Sequence, residues 1–98
     1  MKNIVSRKTL VLFYTKHADA EIPLLTWYQI AMRSNWTSPR EVKKDYASAD
    51  VVGNDRMVFN IKGNKYRLIV KFNFSMQWAW IRFIGTHAEY DKIEARTV

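Results

Sequence analysis

Three side chains in the second half of the chain are of types that, held together, could break a phosphodiester bond. Arg67 carries a planar, permanently charged guanidinium that can grip two phosphate oxygens, whereas a lysine acts as a point charge. His87 carries an imidazole, which gives or takes a proton near neutral pH. Tyr90 carries a phenol, which is a poor base unless nearby cations favour its ionised form.

RNA can be cleaved without a metal when three groups act together. One helps to deprotonate the 2′-hydroxyl, cations stabilise the charge that develops on the phosphate, and a donor protonates the leaving oxygen. Arg67, His87 and Tyr90 are our candidate catalytic residues for this chemistry. Each also has an ordinary interpretation: an arginine stem covering apolar neighbours, a structural histidine, or a half-buried helical tyrosine.

Basic charge surrounds these candidates. The chain has 16 Lys+Arg against 9 Asp+Glu, a net charge of +7, and residues 56–88 contain no acidic side chain. An excess of this kind favours a polyanionic partner such as nucleic acid, although an ordinary solvated surface is the alternative. The candidate RNA- or phosphate-binding residues are Asn60, Lys62, Asn64, Lys65, Lys71 and Arg82. Asn64, next to Gly63, is also explained as a turn residue.

Other chemistries are poorly represented. There is no cysteine, only two histidines and no cluster of carboxylates, so we expect no zinc, calcium or magnesium site. Three glycines and no glycine-rich phosphate loop leave little room for a nucleotide, so we expect no cofactor. No apolar run approaches the roughly 20 residues that span a bilayer, and the first ten residues lack the apolar centre of a signal peptide. We therefore expect no membrane association and a cytoplasmic location.

The elements that must position these side chains form an α+β pattern within one domain, residues 1–98. Residues 2–5 suit a short strand. Helices are predicted over residues 6–17 and 19–33, whose first residues, a serine and an aspartate, are N-cap types, and these two helices should form a hairpin. Residues 38–46 open with a capping box that has proline at the first helical position, which predicts a third, short helix.

After a turn at Gly53-Asn54 the apolar period changes to two. Residues 57–62, 66–74 and 78–84 alternate as strands, the first two joined by a turn. This alternation places Arg67 and Lys71 on one face of the second strand. On the third strand it predicts one face that carries Trp78, Trp80, Arg82 and Ile84. We assign most of the strand aromatics to packing, with stacking on nucleic-acid bases as the alternative.

A short C-terminal helix completes the pattern. Thr86 and Glu89 have the spacing of a capping box. His87 and Tyr90 would then lie three residues apart near the start of this helix and face the same way.

Two segments of this half resemble the HigB toxin family, within the wider RelE-like group. The first is Val58-Phe59-Asn60-Ile61-Lys62-Gly63-Asn64-Lys65-Tyr66-Arg67-Leu68-Ile69, and the second is Ile81-Arg82-Phe83-Ile84-Gly85-Thr86-His87-Ala88-Glu89-Tyr90-Asp91. The likeness extends more loosely through the helices that carry Trp27 and Trp36 and through residues 45–52. It covers nearly the whole chain.

The resemblance implies a compact RelE-like α+β domain, with an N-terminal helical hairpin packed on a small antiparallel sheet. It implies a ribosome-dependent endonuclease that cuts translated messenger RNA. It also implies a HigA-like antitoxin with a helix-turn-helix domain, through which the complex would bind operator DNA. Arg67 matches the phosphate-binding arginine of RelE-like toxins. His87 and Tyr90 occupy the C-terminal position where those toxins place acid, base or stacking groups, although RelE itself uses a tyrosine with lysines and arginines and no histidine.

Two other classes of protein are alternatives to the toxin hypothesis. A non-catalytic RNA-binding module of the double-stranded-RNA-binding type also combines strands with a terminal helix, but it would want lysines where the last helix begins Thr86-His87-Ala88-Glu89. An adaptor whose basic face docks an acidic partner is also compatible with the net charge. Loss of toxicity on changing single polar residues would argue against the adaptor.

Overall fold

The computed structural model describes residues 1–98 and confirms the α+β class. In chain order the elements are β1 (Asn3–Val5), α1 (Arg7–Lys16), a 3-10 turn (Ala18–Ala20), α2 (Glu21–Arg33), α3 (Pro39–Asp45), β2 (Asp50–Gly53), β3 (Arg56–Ile61), β4 (Tyr66–Asn73), β5 (Trp78–Thr86) and α4 (His87–Tyr90). The helices are therefore concentrated in the first half of the chain, and the long strands in the second.

All five strands form one mixed sheet in the order β1-β5-β4-β3-β2. Neighbouring strands are antiparallel except for β1, which runs parallel to β5. The antiparallel sheet that we expected is confirmed for β2 to β5, and the parallel strand β1 at one edge makes the whole sheet mixed. Parallel neighbours need a long crossover connection, and here that connection is almost the whole chain. Strand β2 was not predicted; it has four residues, and its register with β3 shifts between Val51 and Gly53.

The hydrophobic core lies between the helices and the inner face of the sheet. Leu10 of α1 and Leu24 and Trp27 of α2 are fully buried there. The Trp27 ring meets Phe59 of β3 edge-on, with ring centroids 5.3 Å apart. This packing fixes which face of the central strands remains available to solvent and ligands.

The predicted helix starts are partly confirmed. Ser38 caps α3, since its Oγ accepts a hydrogen bond from the Glu41 backbone N–H at 3.3 Å. Ser6 precedes α1, but its side chain makes no capping hydrogen bond. Asp19 is not the N-cap of α2, which is Ala20; it lies in the 3-10 turn. Its carboxylate instead contacts Lys65 and Tyr66 of the β3–β4 hairpin, which are distant from it in the sequence.

The outer face of the sheet is partly covered by the C-terminal residues 92–98. Val58 and Ile69 face away from the main core and are nevertheless buried. Arg56, 8% exposed, donates from Nε and Nη2 to the Val98 carbonyl oxygen at 3.0 and 2.9 Å. Asn54 donates to the carbonyl of Arg96 at 2.8 Å. The end of the chain is thus tied to the start of β3.

A β-bulge changes the predicted face of β5. Ile69 pairs with Phe83 but Val70 pairs with Ile81, so Arg82 is an extra, unpaired residue. Trp78 and Trp80 lie on the outer face with their β4 partners, whereas Ile84 packs against the core on the inner side. The prediction that one face carries Trp78, Trp80, Arg82 and Ile84 is therefore wrong for Ile84, whereas Arg82 reaches the Val98 carbonyl on the outer side, where the two tryptophans lie. None of the helices combines the length and apolar character needed to cross a membrane.

Candidate active site

Arg67 lies on the outer face of β4, in the middle strand of the sheet. Its cross-strand neighbours are Asn60 on β3 and Gly85 on β5. Because directly paired residues point to the same side of a sheet, these three positions form one row. Arg67 is half-buried, so the guanidinium is held by its neighbours yet still reaches solvent.

The helix that faces Arg67 is held at the end of β5 by a complete capping box. The Thr86 backbone N–H donates to Glu89 Oε1 at 2.8 Å, and the Glu89 N–H donates to Thr86 Oγ1 at 3.2 Å. This hydrogen bond from the Thr86 backbone holds the pKa of the Glu89 carboxyl below its usual value. The predicted capping box is confirmed. It fixes the single turn of α4 and therefore the directions of His87 and Tyr90.

Arg67, His87 and Tyr90 meet in one cluster. Arg67 Nη2 lies 3.0 Å from His87 Nε2. Arg67 Cζ lies 5.6 Å from the centroid of the Tyr90 ring, within the range of a cation–π contact. The rings of His87 and Tyr90 are edge-on, with centroids 6.5 Å apart. The three candidate catalytic residues thus come together from β4 and α4.

Asp91, which the sequence reasoning did not single out, faces the other side of the imidazole. Its Oδ2 lies 3.4 Å from His87 Nδ1, and both side chains are exposed. The i,i+4 spacing on a helix was the available signal. A proton on Nδ1 directed at Asp91 leaves Nε2 with a lone pair, which suits the N–H that Arg67 presents to it. Asp91 can therefore set the orientation and tautomer of His87.

The cluster combines the abilities that phosphodiester cleavage needs. It holds a guanidinium for a phosphate, an imidazole nitrogen that can accept a proton, and a tyrosine hydroxyl that makes no hydrogen bond within the chain. No surface cleft of the molecule includes any of the three residues. The cluster lies open on the outer face of the sheet.

The predicted RNA-binding residues are distributed around this cluster unequally. Asn60 is the nearest in register, directly opposite Arg67. Lys71 shares the outer face four residues along β4, which is about 13 Å at roughly 3.3 Å per residue. Lys62 and Asn64 are exposed in the β3–β4 turn. These four positions leave cations and amides available to a ligand on the open side of the sheet.

Two of the predicted cations are engaged elsewhere. Lys65 Nζ forms an ion pair with Asp19 Oδ2 at 2.6 Å, and the Tyr66 hydroxyl donates to the same carboxylate. The hydrogen bonds from Lys65 and then Tyr66 lower the pKa of Asp19, and the hydrogen bond to Asp19 raises the pKa of Lys65. Arg82 donates from Nε to the Val98 carbonyl at 3.1 Å. The structure therefore does not bring Lys65 or Arg82 into the cluster.

No group of three or more histidine, aspartate or glutamate side chains converges in the arrangement that a metal ion needs.

Two comparisons with known proteins bear on this site. The family model for HigB_toxin, described as the RelE-like toxic component of a toxin-antitoxin system, matches residues 20–93. The protein called mRNA interferase HigB from Escherichia coli O6:H1 is 25% identical over 93 residues, covering 93% of this chain and 90% of that protein. The residues matched by the family model include the whole cluster, from Arg67 to Asp91.

Proposed function

Because the HigB toxin model matches residues 20–93, the chain belongs to the HigB family of RelE-like toxins, and from this premise we propose that it is an endoribonuclease that cleaves messenger RNA. The observation that supports the proposal most directly is the cluster of Arg67, His87 and Tyr90. The similar protein from Escherichia coli is called an mRNA interferase, and this name supports the proposed endoribonuclease activity.

We propose that cleavage proceeds by attack of the 2′-hydroxyl on the adjacent phosphorus. His87 Nε2 takes the hydroxyl proton while the O2′–P bond forms, and Arg67 moves from Nε2 to the phosphate oxygens as negative charge develops there. The P–O5′ bond then breaks, and the Tyr90 hydroxyl donates a proton to the leaving oxygen. The products are a 2′,3′-cyclic phosphate and a 5′-hydroxyl. Side chains supply every proton and charge, so the proposed reaction is metal-independent.

We propose further that the reaction depends on the ribosome. The cluster is open, and the positioning of a flexible RNA strand for attack accounts for a large part of enzymatic rate enhancement, so a partner that holds the strand would contribute much to the rate. A ribosome that already holds the message in an extended form would supply that positioning. The net charge of +7 favours association with ribosomal RNA.

The partner we propose is a HigA-like antitoxin with a helix-turn-helix domain, through which the complex would bind operator DNA. Membership of a family of toxic components supports the existence of an antitoxin. A non-catalytic RNA-binding module is not favoured, since α4 has only four residues, His87–Tyr90, and carries no lysine.

The proposal is tested by incubating the purified chain with a defined message, with and without translating ribosomes, and mapping the ends by primer extension. We expect cuts only with ribosomes, and none from the Arg67→Ala variant. Arg40→Ala is the matched control, because Arg40 is an exposed arginine on α3 without a hydrogen bond or ion pair. Cutting of free RNA at the same rate would contradict ribosome dependence. Tight RNA binding without cutting would contradict the nuclease and favour the binding module.

A further inference from the structure

Two of the four tryptophans lie outside the hydrophobic core. Trp27 and Trp36 are buried within it, whereas Trp78 and Trp80 are half-buried on the outer face of β5. Their rings stack on each other, with centroids 5.8 Å apart and planes inclined by 29°. Lys71 on the neighbouring strand places Nζ 5.9 Å from the centroid of the Trp80 ring. Core packing does not explain this aromatic pair.

A cleft of about 320 Å³ adjoins the Trp80 ring, and Lys71, Asn73 and Asp55 are among the residues that line it. Asn73 Oδ1 accepts hydrogen bonds from the Ser75 hydroxyl and the Met76 backbone N–H, which leaves the Asn73 amide group without a partner in the chain. The Asp55 carboxylate is exposed and makes no ion pair. An aromatic ring, a cation, a free donor and a free acceptor therefore border one small cleft.

We propose that this cleft is a second nucleotide subsite for single-stranded RNA, in which a base stacks on Trp80 and its phosphate lies near Lys71. The proposal rests on the proposed nuclease function and extends it. Every base offers a π-face for stacking, and an aromatic ring beside a cation is a common way of holding single strands. Asn73 and Asp55 can hydrogen-bond the edge of the base as donor and acceptor.

The subsite and the catalytic cluster take different nucleotides. Lys71 is four residues from Arg67 along β4, about 13 Å at roughly 3.3 Å per residue, which separates the subsite from the phosphate that is cut. The C-terminal residues lie over the outer face between them, where Ile69 is buried. The nucleotide in the subsite comes either from the message beside the cut or from ribosomal RNA.

The test uses a 2′-O-methyl RNA oligonucleotide, which lacks the attacking hydroxyl and is not cut. Fluorescence anisotropy of a dye attached to the oligonucleotide reports binding, so the signal does not depend on the tryptophan that is replaced. We expect Trp80→Leu to weaken binding about tenfold or more, the size of one base–aromatic stack, and Trp80→Phe to bind nearly as the wild type does. Affinity of Trp80→Leu equal to the wild-type value would overturn the subsite.

A second variant, Lys71→Gln, tests the subsite while Trp80 stays in place, so the result does not depend on whether Trp80→Leu folds. Lys71→Gln should weaken binding and reduce the slope of log affinity against log salt by about one. Lys8→Gln is the matched control, since Lys8 is exposed on α1 and makes no ion pair. A salt slope unchanged by Lys71→Gln would also overturn the subsite.

Because this binding assay needs no cleavage, the two proposals fail separately. If the wild type binds the oligonucleotide more tightly than Trp80→Leu does but cuts no message, the nuclease is refuted and the subsite is supported. If the wild type cuts the message on ribosomes but Trp80→Leu binds the oligonucleotide as tightly as the wild type does, only the subsite is refuted. If Trp80→Leu cuts the message at different positions on ribosomes, the nucleotide in the subsite belongs to the message. If its cleavage rate falls equally at all positions, the nucleotide belongs to ribosomal RNA.

Discussion

Gly85→Ala should separate the positioning of the catalytic cluster from the stability of the fold. Gly85 is buried on β5, directly opposite Arg67 and just before α4. A Cβ added there would lie 2.6 Å from Phe83 Cζ and 3.0 Å from Glu89 Oε1. Both atoms must move, and the second belongs to the capping box that holds His87 in place.

The expected magnitude follows from those two contacts. Overpacking in a well-packed site costs about 1–3 kcal/mol, and the half-buried Phe83 ring can turn toward solvent, which favours the lower end. Glu89 Oε1 must give by a few tenths of an ångström, which weakens its 2.8 Å hydrogen bond from Thr86, and a helix cap contributes about 0.5–2 kcal/mol in all. We therefore expect a loss of about 1–2 kcal/mol in the free energy of unfolding. A small shift of α4 misplaces His87 relative to Arg67 and should slow cleavage about tenfold or more.

The assay compares the cleavage rate on translating ribosomes with the urea midpoint for each variant. Gly63→Ala is the matched control, because it forces an alanine to φ +65° in the β3–β4 turn, where nothing lies within 4 Å of the added Cβ. It should lose about 1 kcal/mol in stability and little activity. Cleavage by Gly85→Ala within threefold of the wild-type rate would refute the reasoning that the capping box positions the site.

Three further predictions concern contacts around the site and the fold. Asp91→Ala should slow cleavage about three- to fivefold without a change in thermal midpoint, because an exposed pair with His87 contributes at most ~1 kcal/mol. Asp19→Asn should lower stability at neutral pH, since the hydrogen bond from Lys65 holds the pKa of this carboxyl below its ordinary 3.8; the difference from the wild type should begin to shrink as the pH falls below 3.8 and should disappear only below the lower pKa of the folded chain, where the native carboxyl is protonated. Arg56→Leu should cost about 2–3 kcal/mol in unfolding free energy, because it removes three hydrogen bonds from a buried guanidinium.

Exposed residues of the same type supply controls for the Asp19 and Arg56 variants. Asp50→Asn, at an exposed carboxylate without an ion pair, is the matched control for Asp19→Asn; a constant difference between Asp19→Asn and the wild type across the acid range would contradict the ion pair. Arg40→Leu should change stability by less than about 0.5 kcal/mol. An equally small change in Arg56→Leu would show that the three hydrogen bonds of Arg56 do not stabilise the fold. A loss above 100-fold in Asp91→Ala would contradict a mere positioning role.

Local signals in the sequence predict the parts of the molecule that local geometry determines. Alternation along β4 correctly places Arg67 and Lys71 on one face, because side chains on a strand point alternately to its two sides. The capping-box spacing of Thr86 and Glu89 correctly starts α4, since both hydrogen bonds lie within one turn. The meeting of the three candidate catalytic residues follows from these two local rules and the hairpin that joins β4 to β5.

Contacts between distant parts of the chain could not be predicted in the same way. The parallel pairing of β1 with β5 joins residues more than 70 positions apart, and no period in either strand records it. The ion pair between Asp19 and Lys65 depends on how the helices dock on the sheet, so both side chains were given other roles. The bulge at Arg82 reverses the alternation of β5, and no glycine stands at the bulged positions 81–83 to mark it.

The proposed cleavage depends on the cluster of Arg67, His87 and Tyr90. The most direct measurement is the single-turnover rate of message cleavage on ribosomes by Arg67→Ala, His87→Ala and the double variant, each shown to keep the wild-type thermal midpoint. Groups that act as one unit are strongly non-additive, so each single variant should lose about 100-fold or more, and the double variant should be little slower than the slower single one. Cleavage at the wild-type rate by both single variants would contradict the account.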